Sequence, residues 1–185
     1  AAVAQFNEIK PTIVAVMNES LSDLSCFEQL QAAGYTGPAF YNSLPDTLVR
    51  GTMLASVAGG GTANSEFEFL TGATTAFVGV GKIPYQLYQM NDVSSLAKDL
   101  KELGYTATAM HPQNPVNYHR DKIYQQLGFG DFLSIADFEG APYYHAGVCD
   151  YATYDKILDL LRADDAPQFI FDVTMQNHGG YDVGT

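Results

Sequence analysis

Three short runs rich in apolar and β-branched residues constrain this chain more than anything else in it. They are residues 12–17, 105–110 and 169–175. The first, Thr12-Ile13-Val14-Ala15-Val16-Met17, follows Pro11 and carries no polar alternation. That is how a parallel strand covered on both faces reads. Segments of helical character separate the three runs. Residues 94–103 place Leu96, Leu100 and Leu103 on one face, with Asp92 or Ser94 as the cap and Gly104 as the stop. Residues 120–127 end at Gly128, and residues 150–162 carry Ile157, Leu158 and Leu161. Strands alternating with helices predict an α/β fold with a largely parallel central sheet flanked by helices.

Each of these runs is followed by polar residues. Asn18-Glu19-Ser20, His111-Pro112 and Gln176-Asn177-His178-Gly179-Gly180 all come after a predicted strand. In a parallel sheet those positions share one edge, where open α/β sheets bind ligands. A further segment is expected on the same edge. Residues 53–57 read as a strand leading into Gly59-Gly60-Gly61, and Thr62 then opens a helix that carries Glu66, Phe67 and Leu70. A hydroxyl at a helix start is either an N-cap or, beside a metal, a nucleophile. Residues 27–33 are weakly helical and stop at Gly34, while residues 35–50 and 72–90 read as loops.

Every candidate has an ordinary alternative. Glu19 is a hard oxygen donor suited to a divalent cation, or an exposed loop carboxylate. His111 and His178 can bond substrate oxygens, or each can fill a structural hydrogen-bonding role. Arg120 can hold a phosphate in its planar fork, or be a solvated charge at a helix end. Cys26 and Cys149 lack metal spacing and are either free thiols or one disulfide. A formal charge of −12 over 185 residues argues against nucleic acid as a partner. No run approaches a membrane span, so the segment reads as soluble. The chain contains no G-x-x-x-x-G-K-[ST], no full G-x-G-x-x-G and no G-x-S-x-G.

Met17-Asn18-Glu19-Ser20, Gly60-Gly61-Thr62-Ala63-Asn64-Ser65-Glu66-Phe67, His111-Pro112 with Tyr118 and Arg120-Asp121, and Thr174-Met175-Gln176-Asn177-His178-Gly179 occur in that order. This ordered set resembles the extracellular catalytic domain of lipoteichoic acid synthases and related phosphoglycerol transferases. These belong to the sulfatase-like branch of the alkaline phosphatase superfamily. The resemblance covers nearly the whole chain. It implies Glu19 as a metal ligand, Thr62 as both ligand and nucleophile, and His111, Tyr118, Arg120 and His178 as the pocket for a glycerophosphate head group. It also implies a divalent metal, Mn²⁺ before Mg²⁺ or Zn²⁺. The substrate would be a phosphoglycerol lipid or polymer, and the parent protein would be anchored to the outer face of a bacterial cell membrane.

The chain departs from the family's pattern in three places. Tyr118 stands where the family often has Trp. The C/S-x-P-x-R of typical sulfatases is absent, which disfavours sulfate esters. The Asp-His pair with which the family completes its metal site is also absent. The expectation is therefore one sulfatase-like catalytic domain over residues 1–185, truncated at its C-terminal end. Such a fragment would bind metal weakly or not at all and would be inactive. The alternative is a non-catalytic α/β anion-binding module of the same superfamily.

Overall fold

The computed structural model describes residues 2–180. In chain order its elements are α1 (Ala2–Ile9), β1 (Ile13–Met17), α2 (Glu28–Ala32), α3 (Ala39–Asn42), α4 (Thr62–Thr71), α5 (Pro84–Leu87), α6 (Leu96–Glu102), β2 (Thr106–Met110), α7 (Arg120–Gln126), β3 (Asp131–Leu133), β4 (Tyr143–Tyr144), β5 (Gly147–Val148), α8 (Asp150–Ala163) and β6 (Gln168–Val173). Four strands form one parallel sheet in the order β1–β6–β2–β3, and β4 and β5 make a small antiparallel hairpin. The expected α/β fold with a parallel sheet flanked by helices is what the chain adopts. No helix among the described residues is long and apolar enough to cross a membrane.

The strand order explains the sequence patterns. β6 lies between β1 and β2, and every one of its residues is buried. Its odd-numbered side chains, Phe169, Phe171 and Val173, pack with Ala107 and Ala109 of β2 and with Phe67, Leu70, Ala97, Tyr124 and Leu127 from α4, α6 and α7 and the turn after it. Ile170 points the other way and joins Met110, Phe138, Val148 and Ile157. The central strands β6 and β2, apolar on both faces, are covered on both. β1, expected to be covered on both faces, is not: it lies at the edge of the sheet, and Val14 and Val16 on one of its faces are exposed. Tyr124 is fully buried at the aromatic centre, edge-on to Phe132 with ring centroids 4.9 Å apart.

Several local expectations need correction. Residues 53–57 form no strand; the chain there is irregular. α6 is capped by Ser95, whose hydroxyl accepts from the Lys98 N–H, and not by Asp92 or Ser94. The predicted loops contain the short helices α3 and α5. β3 and the β4–β5 hairpin have no counterpart in the sequence reading, because two or three residues are too few to establish a period. Cys26 and Cys149 are both free thiols, the first exposed and the second buried.

Ser20–Leu54 forms one compact unit, and the residues on either side of it form another. The smaller unit contains α2 and α3 and a 3₁₀ turn, Leu24–Cys26, capped by Asp23. All the predicted site residues belong to the larger unit.

Asp172 on β6 is an ionisable group with no exposed surface, and among the described residues neither of its carboxyl oxygens has a hydrogen-bond partner. Burial pushes its pKa up to about 7; the nearby Thr153 hydroxyl opposes this and Asp150 reinforces it. That hydroxyl donates to the Asp150 carbonyl, so it gives Asp172 little relief. The unfolded chain loses this proton near the ordinary value of 3.8 and the folded chain near 7. Folding stability should therefore fall as pH rises from about 4 to about 7 and then level off, a loss of roughly 2–4 kcal/mol. Asp172→Asn should remove that slope. Urea denaturation at a series of pH values measures it, and an unchanged slope in the variant would assign it to another group.

Candidate active site

Parallel pairing brings the carboxyl ends of three strands to one edge. Met17 pairs with Val173, and Met110 with Asp172, so the residues that follow each strand emerge together. Thr174 secures the first of them. Its N–H donates to the Met17 carbonyl at 3.1 Å, and its hydroxyl accepts from the Glu19 N–H at 2.9 Å. Glu19, half-buried, thus leaves β1 from a backbone bonded to the neighbouring strand.

Thr62 reaches the same edge by another route. Gly59, Gly60 and Gly61 all have positive φ, between 64° and 80°. Gly61 is the left-handed N-cap of α4, which only a glycine adopts cheaply. Thr62 is therefore the first residue inside the helix and not its cap, and among the described residues its hydroxyl bonds no backbone N–H of α4. It points at Glu19 instead, Oγ1 to Oε2 at 3.4 Å. That is longer than an ordinary hydroxyl–carboxylate hydrogen bond.

One cavity of about 410 Å³ is lined by Glu19, Thr62, His111, Tyr118, Arg120 and His178, the whole predicted set. Gln86, Gln113, Asn117 and Met175 complete it. Met175 ends the apolar run 169–175, whereas Gln86, Gln113 and Asn117 are unmarked in sequence: their positions depend on α5 and on the loop between β2 and α7, which no periodicity announces. The glycine run does not line this cavity. It borders a second one of about 520 Å³, which shares Tyr118 with the first.

Arg120 is not a solvated helix-end charge. It is 2% exposed, and its guanidinium meets Glu66, itself 0% exposed. Nε lies 3.2 Å from both carboxylate oxygens, Nη2 lies 2.5 Å from Oε1, and Tyr124 donates its hydroxyl to Oε2 at 2.8 Å. The Tyr118 ring covers the guanidinium, Cζ 5.0 Å from its centroid. Nη1 is left without a hydrogen bond among the described residues. Burial works to lower the Arg120 pKa, but the Glu66 charge and hydrogen bond outweigh it and the net shift is upward. Burial first, and then Glu66, raise Tyr124 well above the usual phenol range. Glu66 went unread as a site residue. Its sequence signals are its place in the motif over residues 60–67 and its spacing four residues after Thr62, on the same helix face.

Tyr118 and His119 both have left-handed backbones, φ 55° and 60°. Each such residue costs about 1–2 kcal/mol. This strained turn directs Arg120 inward from the first position of α7.

His111 is 4% exposed, and its Nδ1 lies 2.8 Å from the Val173 carbonyl. A carbonyl only accepts, so Nδ1 carries the proton and Nε2 keeps its lone pair. Burial lowers its pKa to about 4, helped by the Arg120 charge and opposed by the Val173 bond. His178 lines the cavity from the loop after β6, and its N–H donates to the Met175 carbonyl at 3.2 Å.

The donor chemistry fits part of a hard-cation site. Two oxygens each about 2.1 Å from one ion lie about 3.0–3.4 Å apart at the usual bond angles. The Thr62–Glu19 separation of 3.4 Å matches that spacing. Among the described residues no group of three or more His, Cys, Asp or Glu is gathered for a metal.

Residues 11–184 match the protein family described as Sulfatase. A Rhizobium meliloti (strain 1021) protein, whose description proposes cyclic beta-1,2-glucan modification, is 31% identical over 174 residues, 94% of this chain and 26% of that protein. An uncharacterized Haemophilus influenzae protein is 26% identical, over 96% of this chain and 34% of its own length. The chain thus spans about a quarter to a third of these curated relatives. Among solved structures, the Streptococcus pyogenes phosphoglycerol transferase GacH in complex with sn-glycerol-1-phosphate superposes with a TM-score of 0.71 at 27% identity, covering 95% of this chain and 48% of that one. The lipoteichoic acid synthase LtaP from Listeria monocytogenes gives a TM-score of 0.71 at 18% identity, covering 95% and 43%, a likeness of fold.

The His111 geometry has a direct consequence. In an NMR titration its ring protons should stay unshifted from pH 8 down to about 5, because the imidazole charges only near pH 4. A midpoint near 6.5 would mean that the ring is hydrated and its burial lost.

Proposed function

The chain belongs to the sulfatase family, and on that footing we propose that it is the catalytic part of a metal-dependent phosphoglycerol transferase or phosphodiesterase. The observation that carries this reading is the Thr62 hydroxyl 3.4 Å from Glu19 inside a cavity that also holds Arg120 and a neutral His111. The substrate is a phosphoglycerol lipid or polymer. The parent protein acts on it at the outer face of a bacterial membrane, to which it is anchored.

In this mechanism Thr62 Oγ1 attacks the phosphorus of the diester. A bond forms from Oγ1 to phosphorus as the bond from phosphorus to the diacylglycerol oxygen breaks, and the proton lost from Oγ1 ends on that departing oxygen. Glycerophosphate is then held on Thr62 until an acceptor alcohol or water attacks the same phosphorus and releases the hydroxyl. Glu19 Oε2 orients the Thr62 hydroxyl, which Gly61 frees from capping duty. Arg120 directs Nη1 at a phosphoryl oxygen. His111, a lone-pair acceptor at Nε2, takes a hydrogen bond from a glycerol hydroxyl, with Tyr118 and His178 as walls. Glu19 and Thr62 would hold the divalent cation, Mn²⁺ before Mg²⁺ or Zn²⁺; bound there, it polarises the phosphoryl oxygens and favours the Thr62 alkoxide.

In the whole protein, Thr62→Ala should cut turnover of a phosphoglycerol lipid by about a thousandfold or more. Binding of sn-glycerol 1-phosphate and the thermal midpoint should stay near wild type, since Thr62 neither caps α4 nor fills the core. Near-normal turnover would reduce Thr62 to a structural residue. Binding without turnover in the wild type would make the chain an anion-binding module instead.

A further inference from the structure

We propose that Thr174 is a positioning residue for Glu19. Its hydroxyl replaces a backbone carbonyl at the end of the sheet, and so fixes where the Glu19 carboxylate meets Thr62 and how tightly the two hold a divalent cation. This rests on the reading that Glu19 and Thr62 hold that cation. In the register of β1 and β6, Met17 pairs with Val173, so Asn18 comes opposite Thr174. A regular parallel ladder would join Thr174 to β1 twice. Its N–H would donate to the Met17 carbonyl, and its carbonyl would accept from the Glu19 N–H. The first bond is present at 3.1 Å. In the second, the Thr174 hydroxyl takes the place of the carbonyl and accepts from Glu19 at 2.9 Å.

The exchange matters for direction. A backbone carbonyl lies in the plane of the sheet, whereas a side-chain oxygen stands off one of its faces. The Glu19 peptide follows that oxygen out of the ladder: β1 ends at Met17, and Ser20 turns the chain with φ 55°. The hydroxyl is itself held. Thr174 has no exposed surface, and its proton goes to Asn18 Oδ1 at 3.2 Å. Asn18 Oδ1 also accepts from the Tyr154 hydroxyl of α8 at 3.0 Å. A buried hydroxyl that both donates and accepts has one orientation. Thr174, Asn18 and Tyr154 stand outside the cavity lining, so they act on Glu19 from behind. The result is a carboxylate oxygen 3.4 Å from Thr62 Oγ1, the spacing of two oxygens on one ion. Groups that orient a ligand in this way are worth about ten- to a hundredfold in metal affinity.

The test measures Mn²⁺ binding to the whole protein by calorimetry, with hydrogen exchange at the Glu19 amide as a second readout that needs no metal. Thr174→Val keeps the shape and removes the hydroxyl. Mn²⁺ affinity should fall about ten- to a hundredfold, and the Glu19 amide of the metal-free protein should exchange about tenfold faster or more. Thr174→Ser restores the oxygen and should bind Mn²⁺ within about threefold of wild type. Wild-type affinity in Thr174→Val would overturn the proposal, because the hydroxyl would then brace the backbone without setting the ligand. An equal loss in Thr174→Ser would overturn it too, by tracing the effect to packing. Thr174→Val leaves a buried N–H unpaired. If circular dichroism shows that it does not fold, Asn18→Ala decides. That variant lets the hydroxyl turn and should weaken Mn²⁺ by about threefold or more; unchanged affinity would overturn the proposal. If the wild type binds no Mn²⁺, or Glu19→Ala binds it as tightly, the cation reading falls first and takes this one with it. If the wild type binds through Glu19 and Thr174→Val binds equally well, that reading survives and only the role of Thr174 fails.

Discussion

The buried pair of Glu66 and Arg120 ties the site to the fold. One partner sits in the second turn of α4, and the other is the first residue of α7. Thr62, which opens α4, and Tyr118, just before α7, are thereby held at a fixed distance from each other. A buried pair of this kind adds little net stability compared with an apolar substitute, because two charges had to leave water. Removing one partner is another matter, costing about 3–5 kcal/mol for the charge left behind. The pair is therefore better understood as a geometric constraint than as a source of stability. It forces the starts of two helices to meet in one arrangement, and Tyr124 extends that constraint into the aromatic centre between the helices and the sheet.

The sheet supplies the second constraint. Because β1, β6 and β2 run parallel in near register, their carboxyl ends deliver Glu19, the residues after Val173, and His111 within one small area. Backbone groups at that edge are used locally. The Val173 carbonyl fixes the His111 tautomer, and Thr174 fixes the exit of β1. A parallel strand buried on both faces, as β6 is, has few conformational alternatives. The precision at the edge follows from the packing of Phe169, Phe171 and Val173 beneath it, more than from any contact within the cavity.

This explains what the sequence could reveal. β2 and β6 were legible because strands covered on both sides must be apolar; β1 is as apolar but lies at the edge of the sheet with Val14 and Val16 exposed, and the residues after all three could be placed on one edge by topology alone. Glu19, Thr62, His111, Tyr118, Arg120 and His178 were legible through their ordered motifs, and all six meet around one cavity. The state of Arg120 was not legible. An arginine at a helix start looks solvated until its partner is known, and Glu66 is 54 residues away. β3 was missed because Asp131-Phe132-Leu133 has no period, and the left-handed turn at Tyr118 and His119 because neither is a glycine. The strand expected at residues 53–57 failed for the opposite reason: its apolar residues suggested burial, yet Met53 and Leu54 are 83% and 91% exposed.

The placement of Thr62 joins these two constraints. A threonine at a helix start ordinarily closes its own cap, and its hydroxyl is then occupied by a backbone N–H. Here the cap position falls one residue earlier, on Gly61, whose left-handed backbone a threonine would adopt only at a cost. The glycine run does not need to touch a ligand to matter. Its effect is to set the phase of α4, so that the first helical residue presents its hydroxyl toward Glu19 while Glu66, one turn on, faces Arg120. Moving the helix start by a single residue would rotate both side chains by about 100°. The hydroxyl would then face away from the carboxylate, and the carboxylate behind it would lose the guanidinium. One backbone feature therefore fixes two side-chain directions, and the geometry around Thr62 and Arg120 stands or falls as a unit.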